Sequence, residues 1–173
     1  VDAQSVKTSG NVPESSQGID AAKKIKGRKH HLVTDTLGLV LAVIVTAASV
    51  HDSAGGKELL EHLAASHPGV TKVWADGGYQ ASGINHGAGL GIDVEVVKRA
   101  SAAGFEPIPK RWVIERTFGW LMQHRRLARD DEALPQRSET MIHWAMANKM
   151  SRELTGESTP TWRMETGQSV NTA

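Results

Sequence analysis

Apolar positions recur along the chain in two rhythms, and together they predict an alternation of strands and helices. Residues 32–36 and 39–47 are β-branched-rich runs joined by Thr36-Leu37-Gly38, the pattern of a β-hairpin with a buried second strand. Asp35, just ahead of that turn, reads as a turn residue. Leu59, Leu60 and Leu63 form the apolar face of a helix with Asp52 or Ser53 as its N-cap, ending near His67-Pro68-Gly69. Two further short strands are predicted over 70–75 and 92–97, the second ending at Lys98 and Arg99. Between them, residues 80–91 take a helical slot that Gly83, Gly87, Gly89 and Gly91 weaken. Residues 101–109 read as a Gly/Pro loop. The stretch 110–129, KRWVIERTFGWLMQHRRLAR, reads as one helix with two arcs. Val113, Ile114, Phe118, Trp120, Leu121 and Leu127 lie on one arc, and Arg111, Glu115, Gly119, Met122, Arg126 and Arg129 on the other. Residues 130–135 break that helix. A last helix begins at Ser138 or Glu139, and its Met141, Ile142, Ala145, Met146 and Met150 stripe is core packing.

Composition changes this picture at the ends. A chain of 173 residues suits one well-packed domain. The expected division is a domain over 1–154 and a polar, aperiodic tail over 155–173 that is disordered. At the other end, VDAQSVKT reads either as the tail of a strand emptying into a loop or as a frayed terminus. With only Val1 ahead of Asp2 and no initiator Met, the sequence reads as a C-terminal fragment or a truncated gene product. No signal peptide is visible, and the longest apolar run, 37–50, is too short to span a bilayer. The absence of cysteine excludes a disulfide framework and thiolate zinc sites, and it fits a reducing cytosol.

Charge matters locally. The formal net charge is only +1, yet Lys23, Lys24, Lys26, Arg28 and Lys29 crowd around Gly27 and run directly into the first hairpin strand. Such a Gly-broken, single-signed cluster is either a solvated loop or a phosphate-backbone contact. Asp76 follows a buried strand and precedes two glycines. It is either an ordinary Asp-Gly turn or a rigidly held active-site carboxylate that a metal or phosphate can approach. Glu115 sits in a line of arginines on a helix with an apolar back, and Arg111–Glu115 alone would be a surface ion pair. The eight histidines form no ligand pattern, and His30, His31, His62 and His67 read as loop or surface residues. Carboxylates without Cys or His partners favour hard cations such as Mg²⁺ or Mn²⁺. Hard cations beside a basic cluster suggest two-metal phosphoryl transfer.

The segments DAQSVKT, KKIKGRKHHLVTDTLGLVLAV, VWADGGY and RWVIERTFGWL together resemble the DDE transposases of bacterial insertion sequences, from Asp2 to about Leu154. The resemblance implies an α/β fold, a ribonuclease H-like mixed β-sheet flanked by helices, here with its first strand largely truncated. It also implies that Asp2, Asp76 and Glu115 are the catalytic carboxylates and hold two Mg²⁺ or Mn²⁺ ions. Arg111 corresponds to the family's Arg four residues before the Glu. The family's Tyr, and its Lys or Arg after the Glu, fall at Ile108 and Met122, and helix geometry offers Arg126 as the substitute base. Arg111 and Arg126 would then bind DNA phosphates beside the scissile bond, while Lys7, Lys23, Lys24, Lys26, Arg28 and Lys29 would grip flanking or target DNA. Trp112 and Trp120 suggest base stacking, although Trp120 lies on the apolar arc. The implied chemistry is phosphodiester hydrolysis at the element's ends, followed by attack of the freed 3′-hydroxyl on target DNA. A homodimer on DNA at the bacterial nucleoid is expected. A hydrolytic nuclease without joining, or a non-catalytic DNA-binding remnant, are the alternative readings.

Overall fold

The computed structural model describes residues 1–79, 81–97 and 111–157. The expected loop over 101–109, with Ile108, the strand end at Lys98 and Arg99, and the tail beyond 157 lie outside the described residues. The elements run β1 (Asp2–Lys7), β2 (Gly18–Asp20), β3 (Ile25–Thr34), β4 (Val40–Ala47), α1 (Asp52–Ser66), β5 (Lys72–Ala75), α2 (Ala81–Gly89), β6 (Asp93–Val96), α3 (Arg111–Met122), α4 (Arg125–Ala128) and α5 (Pro135–Thr155). β3 pairs antiparallel with β1, β2 and β4, and β5 pairs parallel with β6. The Val1 nitrogen donates to the Trp74 carbonyl, which brings the start of β1 beside β5. The result is the expected ribonuclease H-like α/β arrangement, a set of mixed strands with helices against both faces.

β3 explains how two layers form on one strand, because successive side chains point to opposite faces. Val33 joins Ala42, Ile44, Leu59, Leu60, Leu63, Val73 and Tyr79 in a core beneath α1. Leu32 joins Val43, Val45, Ile114, Phe118, Leu121, Leu127, Ile142 and Met146 in a second core beneath α3 and α5. The predicted hairpin is present. Asp35 Oδ1 accepts from the backbone N–H groups of Leu37 and Leu39 at 2.9 and 2.8 Å, and Gly38 supplies the φ of +92° that closes the turn.

Several local expectations are corrected. Residues 2–7 are neither a strand tail nor a frayed end: all six pair with β3, from Asp2 opposite Leu32 to Lys7 opposite Gly27. β3 starts at Ile25, so most of the basic cluster lies in a strand and not in a loop. Its glycine is required there, since a Cβ on Gly27 would lie 1.9 Å from the Val6 carbonyl oxygen. His30 and His31 are buried in the same strand, not on the surface. His51, not Asp52 or Ser53, caps α1, accepting from the Ser53 N–H on Nδ1 at 3.3 Å. α5 begins at Pro135, whose missing N–H is harmless in the first helical turn.

The long helix expected over 110–129 is two helices. After α3, the N–H groups of Gln123 and His124 reach back three residues, to Trp120 and Leu121, and α4 starts anew at Arg125. On a straight helix at roughly 100° per residue, Leu127 would point far from Leu121. The break turns Leu127 back into the lower core.

The strongest polar restraint lies on the lower face of β3. The Arg28 guanidinium is fully buried and donates to Asp130, Glu132 O, Ala133 O, Ser138 Oγ and both oxygens of Ser16. Asp130 also accepts from Ser138 Oγ at 2.7 Å, and His30 Nε2 lies 3.6 Å from its Oδ2. Burial raises the Asp130 carboxyl, but the His30, Ser138 and Glu132 N–H contacts and the Arg28 charge outweigh it and hold its pKa at about 2. Removing one partner strands the other charge. Asp130→Asn is therefore expected to lower the unfolding free energy by about 3–5 kcal/mol. The check is urea denaturation at neutral pH, where Lys26→Ala, at an exposed pair with Glu14, shifts it by no more than about 0.5 kcal/mol.

Candidate active site

β5 ends at Ala75, and the chain leaves the sheet through Asp76. The Gly78 N–H donates to Asp76 Oδ1 at 2.9 Å and the Tyr79 N–H to the Asp76 carbonyl at 3.2 Å, so residues 76–79 close into a tight turn. That turn sends Tyr79 inward, where it is 1% exposed. Its ring lies against α1 at Gly56, where a Cβ would sit 2.3 Å from Tyr79 Cε1. Burial pushes the Tyr79 phenol above its ordinary pKa, and the nearby carboxylates of Asp2, Asp52 and Asp76 add to the rise. The charges of three carboxylates, at the start of β1, the start of α1 and the end of β5, thus all act on one buried hydroxyl.

Asp2 and Asp76, read from the sequence as site residues, therefore lie on adjoining strand ends. Asp52 is not among the site residues expected from the sequence, where it reads as a helix cap with a purely local role. Its carboxylate pairs with Lys29 Nζ at 2.8 Å, and its Oδ2 faces the Asp76 carboxylate across Gly78. Asp52 follows a buried strand, but five residues on and without the two glycines that single out Asp76 directly after β5.

Glu115 projects from the exposed side of α3, beside the buried Ile114. Trp112, Val113 and Ile114 line a cleft of about 500 Å³ whose other wall includes Val1, Val33, Lys72 and Trp74. The residues next to Glu115 and Asp2 thus border one cleft. Among the described residues, no three His, Asp or Glu side chains are grouped closely enough to hold a metal ion directly. The donor chemistry is nonetheless that of a hard divalent cation: carboxylate oxygens on rigid elements, with a glycine leaving room between two of them.

The basic residues divide. Lys7, Lys23, Lys24 and Lys26 are exposed. Arg28 and Lys29 are not DNA-facing, and the expectation for both is corrected. Arg28 is enclosed by the Asp130 network, and Lys29, 6% exposed, is held by Asp52 and by the Val50 carbonyl. Strand alternation, not solvent, decides their direction. Arg126 is exposed and pairs with Glu132 at 2.8 Å, but on α4 it no longer continues the Glu115 stripe. Arg111 opens α3, and its side chain lies outside the described residues. The tryptophans flank Arg116, whose guanidinium lies 4.4 Å from the Trp112 ring centre and 4.6 Å from that of Trp120, and Lys149 sits 3.6 Å over Trp120. Their faces are already engaged by cations of the same chain.

The geometry first defines a class: a ribonuclease H-like α/β domain with carboxylates on neighbouring strand ends. Comparison with known proteins supplies the family. The family described as Transposase DDE domain matches residues 1–148, and the chain belongs to it. The chain is also 37% identical over 111 residues to the "Putative transposase for insertion sequence element IS402" of Burkholderia cepacia, an alignment covering 58% of this chain and 52% of that protein. The chain thus spans about half the length of this curated relative. No solved structure matches it. Among the described residues, no helix is long and apolar enough to cross a membrane.

The upper face of β3 sets the pH response of this region. His31 packs under Gly55, where a Cβ would lie 2.4 Å from its Cε1, and its Nε2 lies 3.0 Å from Thr46 Oγ1. Burial lowers its pKa from 6.5 to about 4. Asp52 opposes that shift, while Lys29 and His30 reinforce it. The folded pKa is depressed, so the stabilising contribution is complete above 6.5 and is lost as pH falls through 4. Stability is expected to fall by up to about 3 kcal/mol across that window. In urea titrations at pH 7 and pH 4, His31→Asn should remove most of this fall, leaving the Asp130 contribution, which is complete above 3.8 and is lost as pH falls from there through about 2.

Proposed function

We propose that this chain is the catalytic portion of an insertion-sequence transposase that cleaves and joins DNA, with Asp2, Asp76 and Glu115 as its carboxylate triad. The observation that carries the reading is the junction of β1 with β5, which brings Asp2 and Asp76 to the same edge, beside the cleft that α3 closes. Asp2 is anchored by strand pairing and Asp76 by its own turn, so both carboxylates are held before substrate arrives. Glu115 is carried on a helix whose opposite side is fixed by Ile114, Phe118 and Leu121.

The three carboxylates suit two Mg²⁺ or Mn²⁺ ions, which when bound activate the attacking oxygen and neutralise charge on the leaving one. DNA is the substrate that the exposed lysines suit. Lys7, Lys23, Lys24 and Lys26 present ammonium groups from the end of β1, the β2–β3 turn and the start of β3, where they act as phosphate contacts. Arg111 and Arg126 are assigned to phosphates nearer the scissile bond, Arg126 by exchanging its Glu132 partner for the DNA. Because two element ends are joined in one event, the active form is a homodimer on DNA in the bacterial cytoplasm.

The test is cleavage of duplex DNA carrying the element's terminal sequence. Asp76→Asn and Glu115→Gln are expected each to cut Mg²⁺-dependent cleavage by more than about a hundredfold, with DNA affinity kept within about threefold. Full cleavage by either variant would overturn the triad. A donor 3′ end covalently joined to target DNA identifies a transposase, and cleavage without that product identifies a nuclease. Combined Lys23→Ala, Lys24→Ala and Lys26→Ala should weaken binding uniformly across sequences. The slope of log affinity against log salt should become shallower by about one for each phosphate that the variant no longer neutralises.

A further inference from the structure

The acidic edge contains two groups that the triad does not use. The Tyr79 hydroxyl is buried, no hydrogen-bond partner reaches it among the described residues, and its ring packs on Gly56, about one turn along α1 from Asp52. A phenol is a good donor, and leaving a buried donor without an acceptor is unfavourable. Asp52 is the other group. Lys29 holds its Oδ1 at 2.8 Å, leaving Oδ2 to face the Asp76 carboxylate across Gly78. A Cβ on Gly78 would lie 3.0 Å from Asp76 Oδ1 and 3.2 Å from Asp52 Oδ2, so both oxygens border the space that a side chain there would fill.

We propose that Asp52 and Tyr79 complete a site for a hydrated divalent cation, with Asp52 sharing the ion with Asp76 and Tyr79 donating to a water that the ion carries. This rests on the reading of Asp76 as a metal ligand. Contact through water fits the geometry, since no three side chains of the described cluster are close enough for direct ligation. Mg²⁺ gives up its water reluctantly and commonly binds through one or two carboxylates with several waters retained. Lys29 orients Asp52 and offsets the repulsion among the carboxylates when no ion is bound. Asp52 is thus a ligand-facing carboxylate, and Tyr79 is a positioning residue.

The experiment is Mn²⁺ binding to the 173-residue chain, read as loss of the free-ion signal in electron paramagnetic resonance, with thermal unfolding in chelator as the control. Tyr79→Phe removes only the hydroxyl and leaves the ring against Gly56. It is expected to weaken Mn²⁺ binding about tenfold while leaving the metal-free melting temperature unchanged or raised. Asp52→Asn should weaken binding at least as much, and Gly78→Ala should do so by filling the gap, whereas Asp35→Asn in the distant turn should not. Wild-type Mn²⁺ affinity in Tyr79→Phe and Gly78→Ala overturns the proposal, and these two variants decide it should Asp52→Asn fail to fold. If Asp76→Asn alone loses the ion, only this inference fails. If Asp76→Asn also binds as the wild type does, the reading of Asp76 as a metal ligand fails with it.

Discussion

Arg28 carries a full charge into the interior, and much of the molecule is arranged to make that tolerable. An isolated guanidinium there would be prohibitive, so the loop at Ser16, the turn at Asp130 to Ala133 and the start of α5 at Ser138 all converge on it. These contacts join β3 to a segment more than a hundred residues later, and they fix α5 against the back of the sheet. One residue along, Lys29 does the corresponding work on the opposite face, joining β3 to the start of α1 through Asp52 and Val50. Adjacent cations of one strand thereby anchor both helical layers. The carboxylate edge is held between them.

That arrangement explains which features are legible in the sequence and which are not. The hairpin, α1, β5 and the exit at Asp76 can be read locally, because strand alternation, leucine spacing and turn residues are local signals. The buried cations cannot. Lys26, Arg28 and Lys29 share a stretch whose composition resembles a solvated loop, and only distant Asp130 and Asp52 convert two of them into structural ions. The burial of His30 and His31 is hidden for a similar reason, since the hairpin reports β4 on one side while β1 on the other is far from them in sequence. The division of α3 from α4 is also illegible. Uninterrupted helical propensity hides a break that the placement of Leu127 in the core requires.

The correction at Arg28 and Lys29 also narrows the electropositive surface. A run of five cations becomes three exposed lysines and two interior ion pairs, so composition alone overstates the charge available to a polyanion. What remains is concentrated at the β2–β3 turn, the start of β3 and the end of β1. The turn itself is rigid: Asp20 accepts from the Ala22 and Lys23 N–H groups, each at 3.1 Å, and from Ser5 Oγ. Lysines presented from such a turn lose less conformational freedom on meeting phosphate than lysines on a free loop.

At the acidic edge, glycine is as informative as carboxylate. Gly55 and Gly56 let α1 press onto His31 and Tyr79, and that contact sets where the first turn of the helix, with Asp52, arrives. Gly78 keeps the space between Asp52 and Asp76 open. A larger residue at 55 or 56 would lift α1 off the sheet, withdrawing Asp52 from Asp76 and letting water reach the Tyr79 hydroxyl. The spacing of the carboxylates is therefore a packing property before it is an electrostatic one. Three glycines decide how closely like charges approach, and the Lys29 ammonium beside Asp52 then offsets their repulsion.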